Sequence, residues 1–463
     1  MVFTSAIFLY AFFPTTLLVY YLLPRKFQNA FLLLASYVFY AWSVPKYLVL
    51  ILISTLIDYV CVLWMVRTSK PTKIPLFLSI CCNLGLLGFF KYYGFFLENV
   101  NPILKSLDLG GLPVWNLVLP VGISFYTFQS MSYTIDVYRG RVKPTSHLID
   151  FACFVALFPQ LVAGPIVRYV DIAQQLRERK PDLSVFTVGT WFFMMGFSKK
   201  VLLANQVGIL ADKAFALAQP QLLDSWVGLL GYTMQIYFDF SGYSDMAIGL
   251  GLMFGFRFPF NFDSPYQAQS ITDFWRRWHM TLSTWFREFV YIPLGGNRHS
   301  QGRTMFNLVA TFFLSGLWHG ASWNFVIWGL YHGTFLLLER AFRHRGGLWE
   351  RLPRWPRQLL ILVIVMLGWV VFRAPDMNQA LNYYQGLLGL HGYGPLTLIA
   401  FWHDHAPLFF LPLATLIALL GRNSNHLSET IRPHSMWWVF LLFLLACIEL
   451  SNQGYNPFLY FQF

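Results

Sequence analysis

FWRRWHMTLSTWFREFVYIPLGGNR, residues 274–298, followed after a short basic linker by FNLVATFFLSGLWHGASWNFVIWGLYHG, residues 306–333, carries the densest polar chemistry in an otherwise apolar chain. On a helix of 3.6 residues per turn, Arg276, His279, Ser283 and Arg287 share one stripe, and Phe274, Trp278, Leu282, Trp285 and Phe289 form an aromatic flank. An ordinary lipid-facing span is excluded, because the paired arginines, the histidine and the Arg287/Glu288 pair would each need a partner or water in hydrocarbon. The segment is therefore expected to be re-entrant, interfacial, or packed around a wet cavity. Pro293, Gly295, Gly296 and Asn297 break it, and Arg298, His299 and Arg303 mark an aqueous boundary.

Outside this stretch the composition leaves one class open. Of 463 residues, 56% are hydrophobic, 19% aromatic and only 12% charged, far from a soluble average. This is the signature of an all-α polytopic membrane protein. The net charge of +12 sits in short clusters between apolar runs, as in cytoplasmic loops, and not in a patch suited to nucleic acid. Cys61, Cys81, Cys82, Cys153 and Cys447 lie in apolar runs without metal-ligand spacing, so they read as small core residues and no metal is expected. No internal repeat, low-complexity tract or soluble domain appears. Residues 1–463 are read as one integral membrane domain with residues 275–332 as its motif-bearing core.

Basic residues recur after alternate apolar runs. Arg67 to Lys73, Arg139 to Lys143 and Arg340 to Arg357 are therefore assigned to the cytoplasm, with the N-terminus outside. Ala374 to His405 becomes an outer loop with an amphipathic piece near Ala380 to Leu390, and Phe458 to Phe463 an aromatic end docked at the interface. Pro120, Gly122, Ser124, Thr127, Gln129 and Ser130 make a polar, kinkable run that suits a broken helix lining a cavity. Lys91 reads as a snorkelling side chain or a site residue.

His319 is the histidine to weigh most. It is bracketed by Gly316 and Gly320 and flanked by Trp318 and Trp323, while Ser315 and Gly316 permit close helix approach. One reading is a packed histidine. The other is a neutral imidazole that takes a proton from a hydroxyl attacking a thioester or ester carbonyl. His332 lies thirteen residues further on, nearly opposite in phase on an unbroken helix, which makes it a packing or supporting residue. Asp239 and Asp245, with Gln235 and Gly242, form an acidic and amide stripe. Its expected partners are Arg276, Arg277 and Arg287, with carboxylate proton chemistry as the alternative. Lys199 and Lys200 read either as interfacial anchors or as contacts for a polyanionic donor. No phosphate-cradling glycine loop, nucleotide fingerprint or serine elbow appears, so any transferred group must arrive in an activated donor.

The runs at 274–296, SGLWHG at 315–320 and the closing FLYFQF resemble the membrane-bound O-acyltransferases. Within that family they are similar to the bacterial polysaccharide O-acetyltransferase branch, and FLLLASYVFYAW near the start extends the likeness to the whole chain. The resemblance implies about 11 transmembrane helices plus re-entrant or interfacial helices around a central cavity. It makes His319 the catalytic family histidine and His279 the second histidine of the branch. Where the family commonly has aspartate after the arginine of WFR, this chain has Glu288.

The expectation is then an O-acetyltransferase of the bacterial inner membrane. His319 would act as general base and His279 would orient or stabilise the oxyanion. Arg276, Ser283, Arg287, Trp318, Asn324 and Gln129 are candidate donor or substrate contacts. Acetyl-coenzyme A or another acyl thioester would serve as donor, with no bound cofactor. An extracytoplasmic SGNH-hydrolase-like acetyltransferase, a polysaccharide biosynthesis complex and membrane lipids are the expected partners. A proton-coupled transporter, or a non-catalytic subunit of a modification complex, would share the intramembrane His, Asp and Arg residues.

Overall fold

The computed structural model describes the chain except residues 43, 68–71, 116, 181, 344–351, 395–406, 429–432, 453–455 and 458–463. Among the described residues every regular element is a helix, as the composition requires. Two compact units emerge, one of Met1–Phe193 with Met246–Pro259, the other of Met194–Asp245 with Phe260–Phe463.

The first unit contains α1 (Phe13–Leu22), α2 (Arg25–Ala41), α3 (Leu48–Met65), α4 (Lys73–Leu87), α5 (Tyr93–Ser106), α6 (Ile123–Tyr138), α7 (Leu148–Ala156), α8 (Phe158–Leu161), α9 (Tyr169–Glu178) and most of α10 (Leu183–Ser198). Phe8, Phe12, Phe39 and Phe158 form its aromatic core, with Phe12 and Phe158 edge to face at 5.4 Å. α7 and α8 are separated by a break at Leu157, and Pro159 sits in the first turn of α8, where its missing N–H costs no helix bond.

The polar run after Pro120 behaves differently from expectation. α6 is continuous from Ile123 to Tyr138 and starts at Gly122, whose φ of 75° and close approach to the Leu161 carbonyl, 2.6 Å from an added Cβ, both require glycine. Its polar residues meet other helices. Asp58 of α3, fully buried, accepts from Ser79 Oγ at 2.5 Å, from Asn83 Nδ2 at 2.8 Å and from Ser130 Oγ. A carboxylate in an apolar bundle needs such donors, and their supply by α4 and α6 ties three helices together. Lys91 turns inward and donates to Ser124 Oγ at 3.2 Å.

The second unit contains α11 (Asn205–Ala216), α12 (Leu222–Met253, up to Asp245), α13 (Ile271–Arg277), α14 (Met280–Phe286), α15 (Gln301–His319), α16 (Trp323–Arg343), α17 (Arg354–Arg373), α18 (Met377–Leu387), α19 (Pro407–Leu420), α20 (Ser424–Ser428) and α21 (Pro433–Asn452). π-Helical turns occupy Lys199–Ala204 and Arg287–Tyr291. α18 falls where the amphipathic piece of the outer loop is expected.

Large apolar side chains cover the surface: Phe77, Trp437 and Trp438 are each about 70% exposed. So much apolar surface belongs against lipid. Among the described residues Pro45–Met65, Lys73–Ser106 and Arg354–Arg373 are long and apolar enough to cross a membrane, and Phe8–Leu22, Phe409–Leu420 and Met436–Asn452 are shorter apolar helices. The long helices α12, α15 and α16 fall outside that set, and they carry part of the site's polar groups, Ser244, His319 and Glu339 among them. The cysteines correct the expectation of a uniform core. Cys61 and Cys153 are buried, Cys82 and Cys447 half-buried, and Cys81 is exposed, because α4 turns one face outward. The loops at 67–73, 340–357 and 374–405 lie partly, and the aromatic end 458–463 wholly, outside the described residues.

Candidate active site

The helix expected to run unbroken through residues 274–289 is two helices with a corner. α13 begins where Ser270 Oγ accepts the Asp273 N–H at 3.0 Å, and it ends at Trp278. His279 then has φ 44° and ψ 53°, a left-handed conformation that costs a non-glycine residue ~1–3 kcal/mol. Asn261, in the extended connection after α12, holds the corner. Its carbonyl accepts the Met280 N–H at 2.9 Å, and its side-chain oxygen accepts the Thr281 N–H at 3.4 Å and the Thr281 hydroxyl at 2.9 Å.

The corner splits the expected stripe. Arg276, Ser283 and Arg287 line a cavity of about 780 Å³ with Trp275, Tyr291 and Arg298. An adjoining space of about 570 Å³ adds Thr311, Ser315, Glu339 and Arg340. His279 is outside both walls and only 1% exposed; its Nδ1 lies 3.0 Å from Asn261 Oδ1, and its ring stands edge-on to Phe240 at 4.7 Å.

His319 is the last residue of α15, and Gly320 leaves the helix with extended φ. A Cβ on Gly320 would meet the Phe325 ring at 2.0 Å, so this turn requires glycine. One turn earlier, a Cβ on Gly316 would lie 2.2 Å from the Phe325 carbonyl. α15 and α16 thus pack backbone to backbone through Gly316 and Gly329, as the small-residue pattern predicts. This close hairpin sets His319 among Trp318, Trp328 and Phe372, at ring-centroid distances of 5.0, 5.0 and 5.3 Å. The His279 ring is 6.5 Å away, and Trp318 touches both imidazoles. Ser315, one turn before His319, reaches the arginine-lined space.

Charges pair otherwise than expected. Lys200 Nζ lies 2.7 Å from Asp239 and also donates to the Pro457 carbonyl, while Lys199 Nζ lies 2.7 Å from Asp245 and 2.6 Å from Ser424 Oγ. The acidic stripe is therefore neutralised by lysines, because the turn of Lys199–Ala204 packs beside α12. A Cβ on Gly242 would come within 2.7 Å of the Gly196 carbonyl. Arg277 instead pairs with Asp273 at 2.8 Å. Arg276, Arg287, Arg298 and Arg340 make no hydrogen bond or ion pair among the described residues, and Glu339, the carboxylate among the cavity walls, accepts the Thr272 N–H at 3.0 Å.

The other candidates scatter. Asn324 Nδ2 donates to the Ala374 carbonyl at 2.7 Å, fastening α16 to the end of α17. Gln129 is fully buried in the first unit. His332 is on a different helix from His319, so the phase argument fails at the turn after Gly320. It is nonetheless separated from His319 by Trp328, 5.0 Å from each ring, and enclosed by Trp275 and Tyr331. Asn261 and Asp58 escaped notice, and Arg298 and Arg340 were read as boundary and loop residues, not as cavity walls. Asn261 had one signal, an amide within the aromatic run FGFRFPFNF at 254–262.

Two imidazoles in a dry aromatic shell can divide proton removal from orientation of the reacting groups, and neighbouring guanidinium groups without acidic partners among the described residues can bind an anion. No three His, Cys, Asp or Glu side chains converge as metal ligands among the described residues. Comparison with known proteins matches the model of MBOAT, the membrane-bound O-acyltransferase family, to residues 139–370. The chain is 43% identical to a probable alginate O-acetylase of Azotobacter vinelandii over 100% of both chains. It is 35% identical to the peptidoglycan O-acetyltransferase of Helicobacter pylori over 100% of this chain and 98% of that one. With the teichoic acid D-alanyltransferase of Bacillus subtilis it shares 29% identity over 58% of this chain and 72% of the other.

Proposed function

The chain belongs to the membrane-bound O-acyltransferase family, and from that premise we propose that it moves an acetyl group from a thioester to hydroxyls of a cell-surface polysaccharide, with His319 as general base. The observation that carries this reading is the approach of the His279 and His319 ring centroids to 6.5 Å, with both imidazoles outside the cavity walls but their neighbours Met280 and Ser315 in them, where the arginines lack acidic partners among the described residues. Acetyl-coenzyme A, or a carrier arm of the same chemistry, brings phosphate that guanidinium forks suit.

In the step itself, the acceptor oxygen attacks the thioester carbonyl while the His319 imidazole takes its proton. The C–O bond forms while His279, held at the adjoining corner, orients the reacting groups. The C–S bond then breaks, and the thiolate recovers the proton from the imidazolium. A positioned base contributes ~10² to 10⁴ in rate, roughly 3 to 5 kcal/mol of barrier. The acceptor is the polysaccharide directly, or a serine of an extracytoplasmic SGNH-hydrolase-like partner that completes the transfer. The enzyme crosses the bacterial inner membrane many times, the polar helices α12, α15 and α16 included, with the basic loops cytoplasmic.

The test follows labelled acetyl from acetyl-coenzyme A into acceptor or partner for wild type and His319→Gln, at equal monodispersity and equal donor binding. The expected result is loss of transfer with donor binding kept. Wild-type-like transfer per folded molecule would remove His319 from the chemistry.

A further inference from the structure

We infer that Asn261 is the positioning residue of the site: it fixes His279 in the neutral tautomer that carries its proton on Nδ1, and so presents Nε2 as the nitrogen with the lone pair. The inference rests on the acyl-transfer reading for its consequence, but on geometry for its content.

The amide's orientation is set by groups with no choice of role. The Thr281 backbone N–H can only donate, and it points at Asn261 Oδ1 at 3.4 Å. The opposite end, Nδ2, then donates to Ser244 Oγ of α12 at 3.2 Å. With the oxygen end so identified, the His279 Nδ1 at 3.0 Å faces an acceptor and must bear the hydrogen. The same side chain takes the Thr281 hydroxyl at 2.9 Å, and the same residue's backbone carbonyl takes the Met280 N–H at 2.9 Å. Asn261 thus bonds to three consecutive residues around the left-handed backbone of His279, where φ is 44°.

The ring is also clamped laterally, with Phe240 at 4.7 Å on one side and Trp318 at 5.9 Å on another. Phe240 and Ser244 lie one turn apart on α12, so the helix that steadies the ring also steadies the amide. Asn261 is itself 1% exposed, and no water-filled side of it competes for the bond. A hydrogen-bonded second nitrogen settles which nitrogen of a histidine reacts, and loss of such a partner leaves both tautomers and a freer ring.

The experiment compares wild type, Asn261→Asp, Asn261→Leu and His319→Gln, purified in detergent at matched monodispersity. Histidine-selective ¹⁵N labelling reads the tautomer, with the His279 signals identified by their absence in His279→Asn. Labelled acetyl transfer gives kcat and donor KM. Wild type is expected to show Nδ1–H. Asn261→Leu should lose that single tautomer and ~10²-fold in kcat with donor KM unchanged, while Asn261→Asp, which keeps the acceptor, should retain the tautomer and recover much of kcat. A proton on Nε2 in wild type overturns the inference. So does Asn261→Leu with wild-type kcat per folded molecule, or with a loss that only tracks the amount of folded protein. Should His319→Gln transfer normally, the acyl-transfer reading fails, and the tautomer signal still judges Asn261 on its own.

Discussion

Two basic clusters in the second unit have opposite fates. Lys199 and Lys200 sit against Asp245 and Asp239, with the Lys200 and Asp239 side chains only 3% and 2% exposed. Arg276, Arg287, Arg298 and Arg340 face open cavities and have no acidic partner among the described residues. A buried ammonium without a counter-ion costs several kcal/mol, so the lysines belong to the fold. An exposed guanidinium stays solvated and remains available to a ligand. Charge alone does not mark a binding residue in a membrane protein; charge left unpaired beside a cavity is what singles out a candidate.

The largest effect should come from breaking the buried side of this contrast. Asp239→Ala strands Lys200 and should cost ~3–5 kcal/mol, read as a lower melting temperature in detergent and poor recovery. Pairing it with Lys200→Met should restore much of the loss. A single variant as stable as wild type would return the lysines to the ligand side.

The arginines should respond in the other currency. Arg276→Ala and Arg287→Ala should each raise the donor KM roughly 10- to 100-fold, the loss of one charge-assisted bond, while melting stays near wild type. Added salt should raise the wild-type KM too, since these groups are exposed. Unchanged KM with impaired stability would mean that their role is structural.

The smallest effect sharpens the comparison with a third kind of group. His332 is fully buried and neither ring nitrogen has a hydrogen-bond partner among the described residues. It neither pairs nor opens to a cavity, and its neighbours are aromatic rings. His332→Leu should leave transfer per folded molecule within about threefold of wild type and stability within ~1.5 kcal/mol. A loss matching His319→Gln would give this imidazole a chemical role.

The helical class and the special status of residues 274–333 could be read in advance, because charges inside apolar runs are costly wherever they lie in the chain. Gly316 was legible for a related reason: small residues at a helix contact act locally. The corner at His279 was not. No proline or glycine marks it, and the bonds that hold it come from Asn261, 18 residues earlier. The stripe of Arg276, Ser283 and Arg287 survived because each lies on the same side of the corner's outer surface, whereas His279 turned inward. The Lys–Asp pairs depend on contacts such as Lys199 to Asp245, 46 residues apart, which periodicity does not report.

Those pairs also impose an order on biosynthesis. The chain emerges from the ribosome with Lys199 and Lys200 first, and the carboxylates that neutralise them follow only when α12 has been made. Until then two ammonium groups must wait at the membrane surface, where lysine's long stem lets it do so. Once Asp239 and Asp245 arrive, both lysines enter as near-neutral pairs within a single hairpin-sized segment. Ser424 and Pro457, which complete their coordination, are synthesised last. A chain stopped before residue 424 would thus have these charges balanced by Asp239 and Asp245 but would lack the two contacts from Ser424 and Pro457 that fasten the lysines in place.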